Sequence, residues 1–193
     1  MSDHDDLEMR FWAGCGSTFG EESKQRVYLR EMGFAEHHVW HAGGFAWDAK
    51  GRSIIDIGGG PVSALLKFEN CGSSLVVDPG EYPDWVWSRY EAAGIEFDRR
   101  GGEKLDADGW DLALIYNCLQ HTIDPTQVIK RAVTAVGSSG LRMFEWIDIP
   151  PHEGHPHMLT QAKLEEWTGR KGIVKEFQGE NGCFGRAWIL GGG

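Results

Sequence analysis

The 193-residue sequence predicts an α/β fold, an open and mostly parallel sheet with helices on both faces. Three observations lead there. From Ser53 onward, short runs rich in aliphatic and β-branched residues alternate with helix-length segments, which is the pattern of a parallel sheet covered on both sides. A glycine cluster, Gly58 to Gly60, falls between the first run and the next helical segment. Asp78 closes the second run about 20 residues later, where an open α/β sheet places a ligand-binding carboxylate.

The elements follow in order. Residues 1–10 read as an acidic tail. Thr18 and Glu21 have the Ser/Thr-x-x-Glu spacing of a capping box, so a helix is expected from about Phe19 to Met32, stopping at Gly33. The stretch "HHVWHAGGFAWDAKGR" reads as a connector. Seven strands are predicted, at 53–57, 74–77, 95–97, 111–116, 141–147, 172–177 and 185–190. Helices are predicted near 62–70, 84–93, 124–136 and 160–168, with none between the third and fourth strands. The helix at 124–136 is the clearest: Asp124 caps it, Pro125 takes its first position, and Val128, Ala132 and Val136 recur every four residues. "QGENGC" contains Asn-Gly, a turn signal, and makes the last two strands an antiparallel hairpin.

Bulk composition narrows the function classes. A hydrophobic content of 41% supports one sizeable core, and a formal net charge of −10 repels a phosphate backbone or an anionic membrane. The densest basic cluster is only "DRR" at 98–100, so neither nucleic acid nor membrane is expected as a partner. Cys15, Cys71, Cys118 and Cys183 lie far apart with no CxxC pair, which suits reduced thiols and a cytoplasmic location. The opening "MSDHDDLEMR" lacks the basic and apolar regions of a signal peptide, and no later run approaches ~18 apolar residues.

Glycines between a strand and a helix let a ligand approach the backbone closely, and the following helix offers free amides. A dinucleotide fits this turn poorly: a G-x-G-x-x-G fingerprint from Gly58 would need glycine at Ser63, and Asp56 sets a carboxylate where a pyrophosphate is unwelcome. A cationic ligand with a ribose suits the acidic surroundings better.

At this point the sequence resembles the class I S-adenosylmethionine-dependent methyltransferases over about residues 53–190. "DIGGG", "VVDP" and "GGEKLDADGWDLALIYNCLQHTIDP" are similar to that family's first four motifs. The resemblance implies a Rossmann-like sheet of seven strands with an antiparallel last strand, and S-adenosyl-L-methionine lying across the carboxyl ends of the first four strands. It also implies site roles. Gly58 and Gly60 would line the methionine end, Asp56 would help anchor its amino group, and Asp78, followed by Pro79, would bind the ribose hydroxyls. Tyr116 and Asn117 would contact cofactor, while Gln120 and His121 face the substrate crevice; for His121 a helix-capping role is the alternative. The third motif departs from the pattern, with Gly101, Gly102 and Glu103 before Leu105, which leaves Glu103 to approach the adenine edge or to stand as a solvated acid. Val62 stands where many members carry another glycine. Residues 1–50 become a tail and lid helix packed on a 51–193 core, with Trp12, Phe19, Glu22 and Tyr28 facing the cofactor or packing structurally.

The remaining motif is "EWIDIPPHEGHPHML", residues 145–159, which follows the fifth strand and so lies at the ligand edge. Pro150, Pro151 and Pro156 restrict its backbone. An imidazole with an unperturbed pKa of ~6.5 can take a proton from a hydroxyl or amine near neutrality. His155, His157, His121 and Glu145 are therefore the candidate catalytic residues, binding or deprotonating the acceptor. A polar structural loop is a second reading, and a divalent-metal site built from His152, His155, His157 and Asp148 a third; the spacing of His155 and His157 around a proline matches no standard zinc motif, so no metal is assigned. The expected activity is methyl transfer to a small polar acceptor at oxygen or nitrogen. A non-catalytic cofactor or nucleotide sensor, a metal-assisted O-methyltransferase and a nicotinamide-dependent oxidoreductase are the alternatives.

Overall fold

The computed structural model describes residues 19–39, 44–178 and 184–192. Helix α1 (Phe19–Glu31) has Glu21 and Glu22 in its first turn and Arg30 in its last, each matched to the sign of the helix dipole. Gly33 follows at φ +92°. Thr18, Trp12, Cys15, Cys183 and the Asn181–Gly182 turn lie outside the described residues.

The next stretch departs from the sequence reading. What read as a connector holds β1 (Glu36–Val39) and β2 (Gly44–Asp48), which pair antiparallel. The helix expected over 62–70 is only a single 3₁₀ turn, Ala64–Lys67, capped by Ser63 Oγ accepting from the Leu65 amide. Phe68 and Glu69 then leave as a two-residue strand, β4, which runs parallel to β2 with Trp47 opposite Phe68. Tertiary pairing onto the β2 edge, with Trp47 fully buried behind it, overrides local helix propensity here.

The main sheet is the one expected. Its strands are β3 (Ile54–Ile57), β5 (Ser74–Val77), β6 (Glu96–Asp98), β7 (Leu112–Tyr116), β8 (Leu141–Ile147), β9 (Ile173–Gln178) and β10 (Phe184–Leu190). They lie in the order β6-β5-β3-β7-β8-β10-β9. β10 alone runs against its neighbours, wedged between β8 and β9. Helices α2 (Asp84–Ala92), α3 (Pro125–Gly140) and α4 (Gln161–Thr168) complete the layers. Asp124 Oδ1 caps α3 by accepting from the Gln127 amide, with Pro125 at its start, and Gly137 at φ +67° interrupts its end. Between β6 and β7 there is only a 3₁₀ turn, Gly102–Lys104.

Strand alternation divides the core in two. Ile54, Leu112, Leu114 and Phe144 face α1 and α2, meeting Tyr28, Leu29, Met32, Val86 and Tyr90. Ile55, Ile57, Ala113, Ile115 and Met143 face α3 and α4, meeting Val128, Ile129, Ala132 and Leu164. Strands β3, β7 and β8 each end in a left-handed residue, Gly58 (φ +76°), Asn117 (φ +49°) and Asp148 (φ +63°), so the chain breaks sharply away at one edge. Among the described residues no helix is long and apolar enough to cross a membrane.

Candidate functional site

A cleft of about 330 Å³ opens at that edge, within the size range of small-molecule sites. Its walls are the turn 57–62 after β3, the loop 77–82 after β5, the turn 101–104, the segments 116–118 and 121–123 after β7, and one face of α1. Gly58 is required twice over. Its φ is left-handed, and a Cβ there would lie 2.6 Å from Cys118 Cβ. Gly60 is also left-handed, at φ +61°.

The turn is wired to its surroundings. Asp78 Oδ2 accepts from the Gly60 amide at 2.9 Å, while Oδ1 accepts from the Gly80 amide and from Tyr82 Oη, both at 2.9 Å. Asp56 lies beneath, fully buried on the α1/α2 side of the sheet and receiving hydrogen bonds from Ser63 Oγ (2.5 Å) and Tyr116 Oη (2.6 Å). Tyr90 Oη donates to the Gly60 carbonyl and accepts from the Ser63 amide. Burial drives the Asp56 carboxyl up to about 6 against those two hydrogen bonds, and its Oδ1 has no hydrogen-bond partner among the described residues. The turn is thus a preformed cradle held from below by a carboxyl and two phenols, and its upper surface faces the cleft.

No protein-family model and no curated protein sequence matches the chain. Solved structures do. The N-methyltransferase NodS from Bradyrhizobium japonicum WM9, solved with S-adenosylhomocysteine, superposes over 97% of this chain and 98% of its own at a TM-score of 0.62 and 12% identity. The 1,6-didemethyltoxoflavin-N1-methyltransferase of Burkholderia thailandensis, with its substrate and S-adenosylhomocysteine bound, matches over 98% of this chain and 89% of its own at TM-score 0.58 and 14% identity. This chain has the fold of the class I S-adenosylmethionine-dependent methyltransferases. Of the YcgJ protein from Bacillus subtilis the chain spans a smaller share, 64%, with 66% of this chain aligned at TM-score 0.52 and 12% identity.

Within this methyltransferase fold the expected residues divide into those that line the cleft and those that lie behind it. Gly58, Gly60, Asp78, Pro79, Glu103, Tyr116, Asn117 and His121 line it. Glu103 is partly spent, because Oε1 accepts from the Ile123 and Asp124 amides at the start of α3. Tyr116 presents its ring while its hydroxyl points to Asp56. Asp56, expected at the cofactor amino group, supports the turn from below instead. Gln120, expected in the crevice, is buried and donates to Asn117 Oδ1.

Glu145, expected at the acceptor, is sealed in the core on the α3/α4 side, as strand alternation with Met143 and Ile147 requires. Its Oε1 accepts from the Cys118 and Leu119 amides, at 3.2 and 3.3 Å, and so pins the 3₁₀ turn Leu119–His121. Burial pushes its carboxyl up to about 8 although the two amides pull the other way, and Oε2 has no hydrogen-bond partner among the described residues.

The histidine loop packs on the segment after β7. The His155 ring stands edge-on to His121 at 4.5 Å and beside His152 at 4.3 Å, and His157 Nε2 lies 2.7 Å from the Thr122 carbonyl. His152 and His155 bridge to each other through their backbones, and Asp148 pairs with Arg186 at 2.6 Å. Among the described residues no three His, Cys, Asp or Glu side chains converge as metal ligands. Only His121 of the four histidines lines the cleft, and His155 and His157 buttress it from outside.

Sequence reasoning passed over Glu21, Gln25 and Tyr82. Glu21, Gln25 and Tyr28 share a face of α1 and line the cleft, and Gln25 Nε2 donates to the Val62 carbonyl. Their i, i+4, i+7 spacing was the available signal. Nothing in the sequence around Tyr82 singles it out.

Proposed function

We propose that the protein transfers a methyl group from S-adenosylmethionine to a small polar acceptor at oxygen or nitrogen. The observation that carries this reading is the wiring of Gly60 to Asp78, which sets a glycine cradle at the end of one strand beside a carboxylate at the end of the next. The cradle suits the donor, since any side chain at Gly58 would close it against Cys118. On this reading Gly58 and Gly60 receive the methionine end, Asp78 and Pro79 the ribose, Glu103 the adenine edge, and Tyr116 and Asn117 the flanking wall. Asp56 acts from beneath by keeping the turn in place.

When bound, the donor supplies a methyl carbon already activated by its sulfonium. The chain's task is to align the acceptor with that carbon and to remove one proton from the attacking oxygen or nitrogen. His121 is the base in this scheme. His155 and His157 hold its segment, and Glu145 fixes the amides just ahead of it. Helix α1, within residues 1–50, covers the cleft as a lid over the 51–193 core and brings Glu21 and Tyr28 to the acceptor side. A cytoplasmic location accords with this chemistry. The acceptor is a small molecule, as it is for the Burkholderia enzyme solved with 1,6-didemethyltoxoflavin.

Calorimetry with S-adenosylmethionine, S-adenosylhomocysteine and NAD tests the reading. Binding of the first two and not the third is expected. Tight NAD binding with no response to the others would sink it. Donor binding without product across a broad acceptor panel would favour a sensor, and activity lost to a chelator and restored by a divalent cation would favour metal assistance.

A further inference from the structure

We infer that Tyr28 donates its phenol hydrogen to the methionine carboxylate of the bound donor, so that helix α1 supplies an anion contact of the site. The inference rests on the donor reading above. A glycine turn ordinarily meets an anion with its own backbone amides. Here most of them are committed. The Gly58 amide donates to the Val77 carbonyl, the Gly60 amide to Asp78 Oδ2, the Ser63 amide to Tyr90 Oη and the Ala64 amide to Tyr116 Oη, at 2.8 to 3.1 Å. Pro61 has no amide hydrogen at all. The lining charges do not help either. Glu21, Asp78, Glu81 and Glu103 stand with a single lysine, Lys104, which adjoins Glu103 at the adenine end. A carboxylate brought into this cleft therefore needs a donor from the wall beside the turn, and that wall is α1.

Three side chains of α1 line the cleft, each committed differently. Glu21 is an acceptor and pairs with Lys24. Gln25 Nε2 is spent on the Val62 carbonyl, which fastens the helix to the turn. Tyr28 is left with a hydrogen to give. Its Oη accepts from Trp146 Nε1 at 3.4 Å, and an indole N–H can only donate, so that contact uses a lone pair and not the phenol hydrogen. No acceptor for that hydrogen stands among the described residues. Burial pushes the phenol up to about 12 against the Trp146 hydrogen bond, so near neutral pH it is a donor and not a base. Packing fixes its place, with the ring stacked on Phe144 at 4.3 Å and the Tyr116 ring 6.1 Å away on the cleft wall.

The test is calorimetry on the full chain, wild type against Tyr28→Phe, with S-adenosylhomocysteine and with the analogue that lacks its carboxylate. Loss of the hydroxyl should weaken S-adenosylhomocysteine binding ~10- to 100-fold, the weight of one hydrogen bond to a charged acceptor. The decarboxylated analogue should bind both proteins alike. Unchanged S-adenosylhomocysteine affinity in Tyr28→Phe would overturn the inference, as would an equal loss for the two ligands, and either result leaves the donor reading standing. Failure of both proteins to bind S-adenosylhomocysteine would overturn the donor reading and the inference with it.

Discussion

Asp78 joins two loops and faces the cleft, so its removal acts on ligand and scaffold together. Asp78→Ala should weaken S-adenosylmethionine binding ~10- to 100-fold, since hydrogen bonds to a charged acceptor are worth roughly 1.5 to 3 kcal/mol each. Unchanged affinity by calorimetry in a folded variant would take Asp78 out of the site. His121 makes the complementary case. His121→Ala should leave donor affinity nearly intact while lowering turnover by ~10² to 10⁴-fold, the usual loss of a general base. Steady-state assays beside calorimetry separate the two effects, and undiminished turnover would leave His121 as a wall residue. At this scale, legibility followed strand ends. Gly58, Gly60 and Asp78 were readable because a turn and a spacing fix them, and the structure sets all three on the cleft. Asp56 and Glu145 were not, because a sheet covered on both faces has apolar neighbours on either side and the sequence does not say which way an internal carboxyl points.

Between elements, Glu145 couples β8 to the 3₁₀ turn that ends in His121. Its carboxyl is raised from 4.5 to about 8, so the folded state binds the proton more tightly than the unfolded chain. Its contribution to stability is complete below about pH 4.5 and is lost as pH rises through about 8. Over that window this one group should lower stability by at most about 1.4 kcal/mol per pH unit. Glu145→Gln keeps an acceptor for the two amides and removes the titration, so the difference between wild-type and variant denaturation curves should shrink toward low pH. A pH-independent difference would refute the coupling. Helix α1 is attached with comparable firmness. Tyr28 stacks on Phe144 at 4.3 Å and is 5% exposed, and Tyr28→Ala should cost about 3 to 5 kcal/mol in denaturant titrations, with Tyr28→Phe nearly neutral. Elements with strong local signals, such as α3 with its Asp124-Pro125 start, were legible. The β1–β2–β4 sheet was not, because its strands are short and β4 is held to β2 by pairing across more than twenty residues, as Trp47 to Phe68 shows.

For the whole molecule, Tyr28, Leu29, Met32 and Trp47 belong to the same core as Ile54, Leu114 and Phe144, so the N-terminal segment should unfold with the sheet. Near- and far-ultraviolet dichroism should give coincident thermal transitions. An early transition confined to helix signal would mark α1 as a separable lid. The strand count and the mostly parallel sheet were legible from βαβ alternation, and so was the final antiparallel hairpin, although its turn lies outside the described residues. What the alternation could not convey is that β10 is interior, the only strand to which β9 is bonded among the described residues. A ribosome delivers β9 before β10. Until residues 184–190 emerge, β9 has no docking site and the seven-residue edge of β8 stays open, a template for pairing with a neighbouring nascent chain. The cleft is lined by segments no later than residue 123 in the sequence, so all of its walls are synthesised while that edge is still unprotected. In order of synthesis, then, the sheet's exposed edge closes only after every segment that lines the cleft has been made.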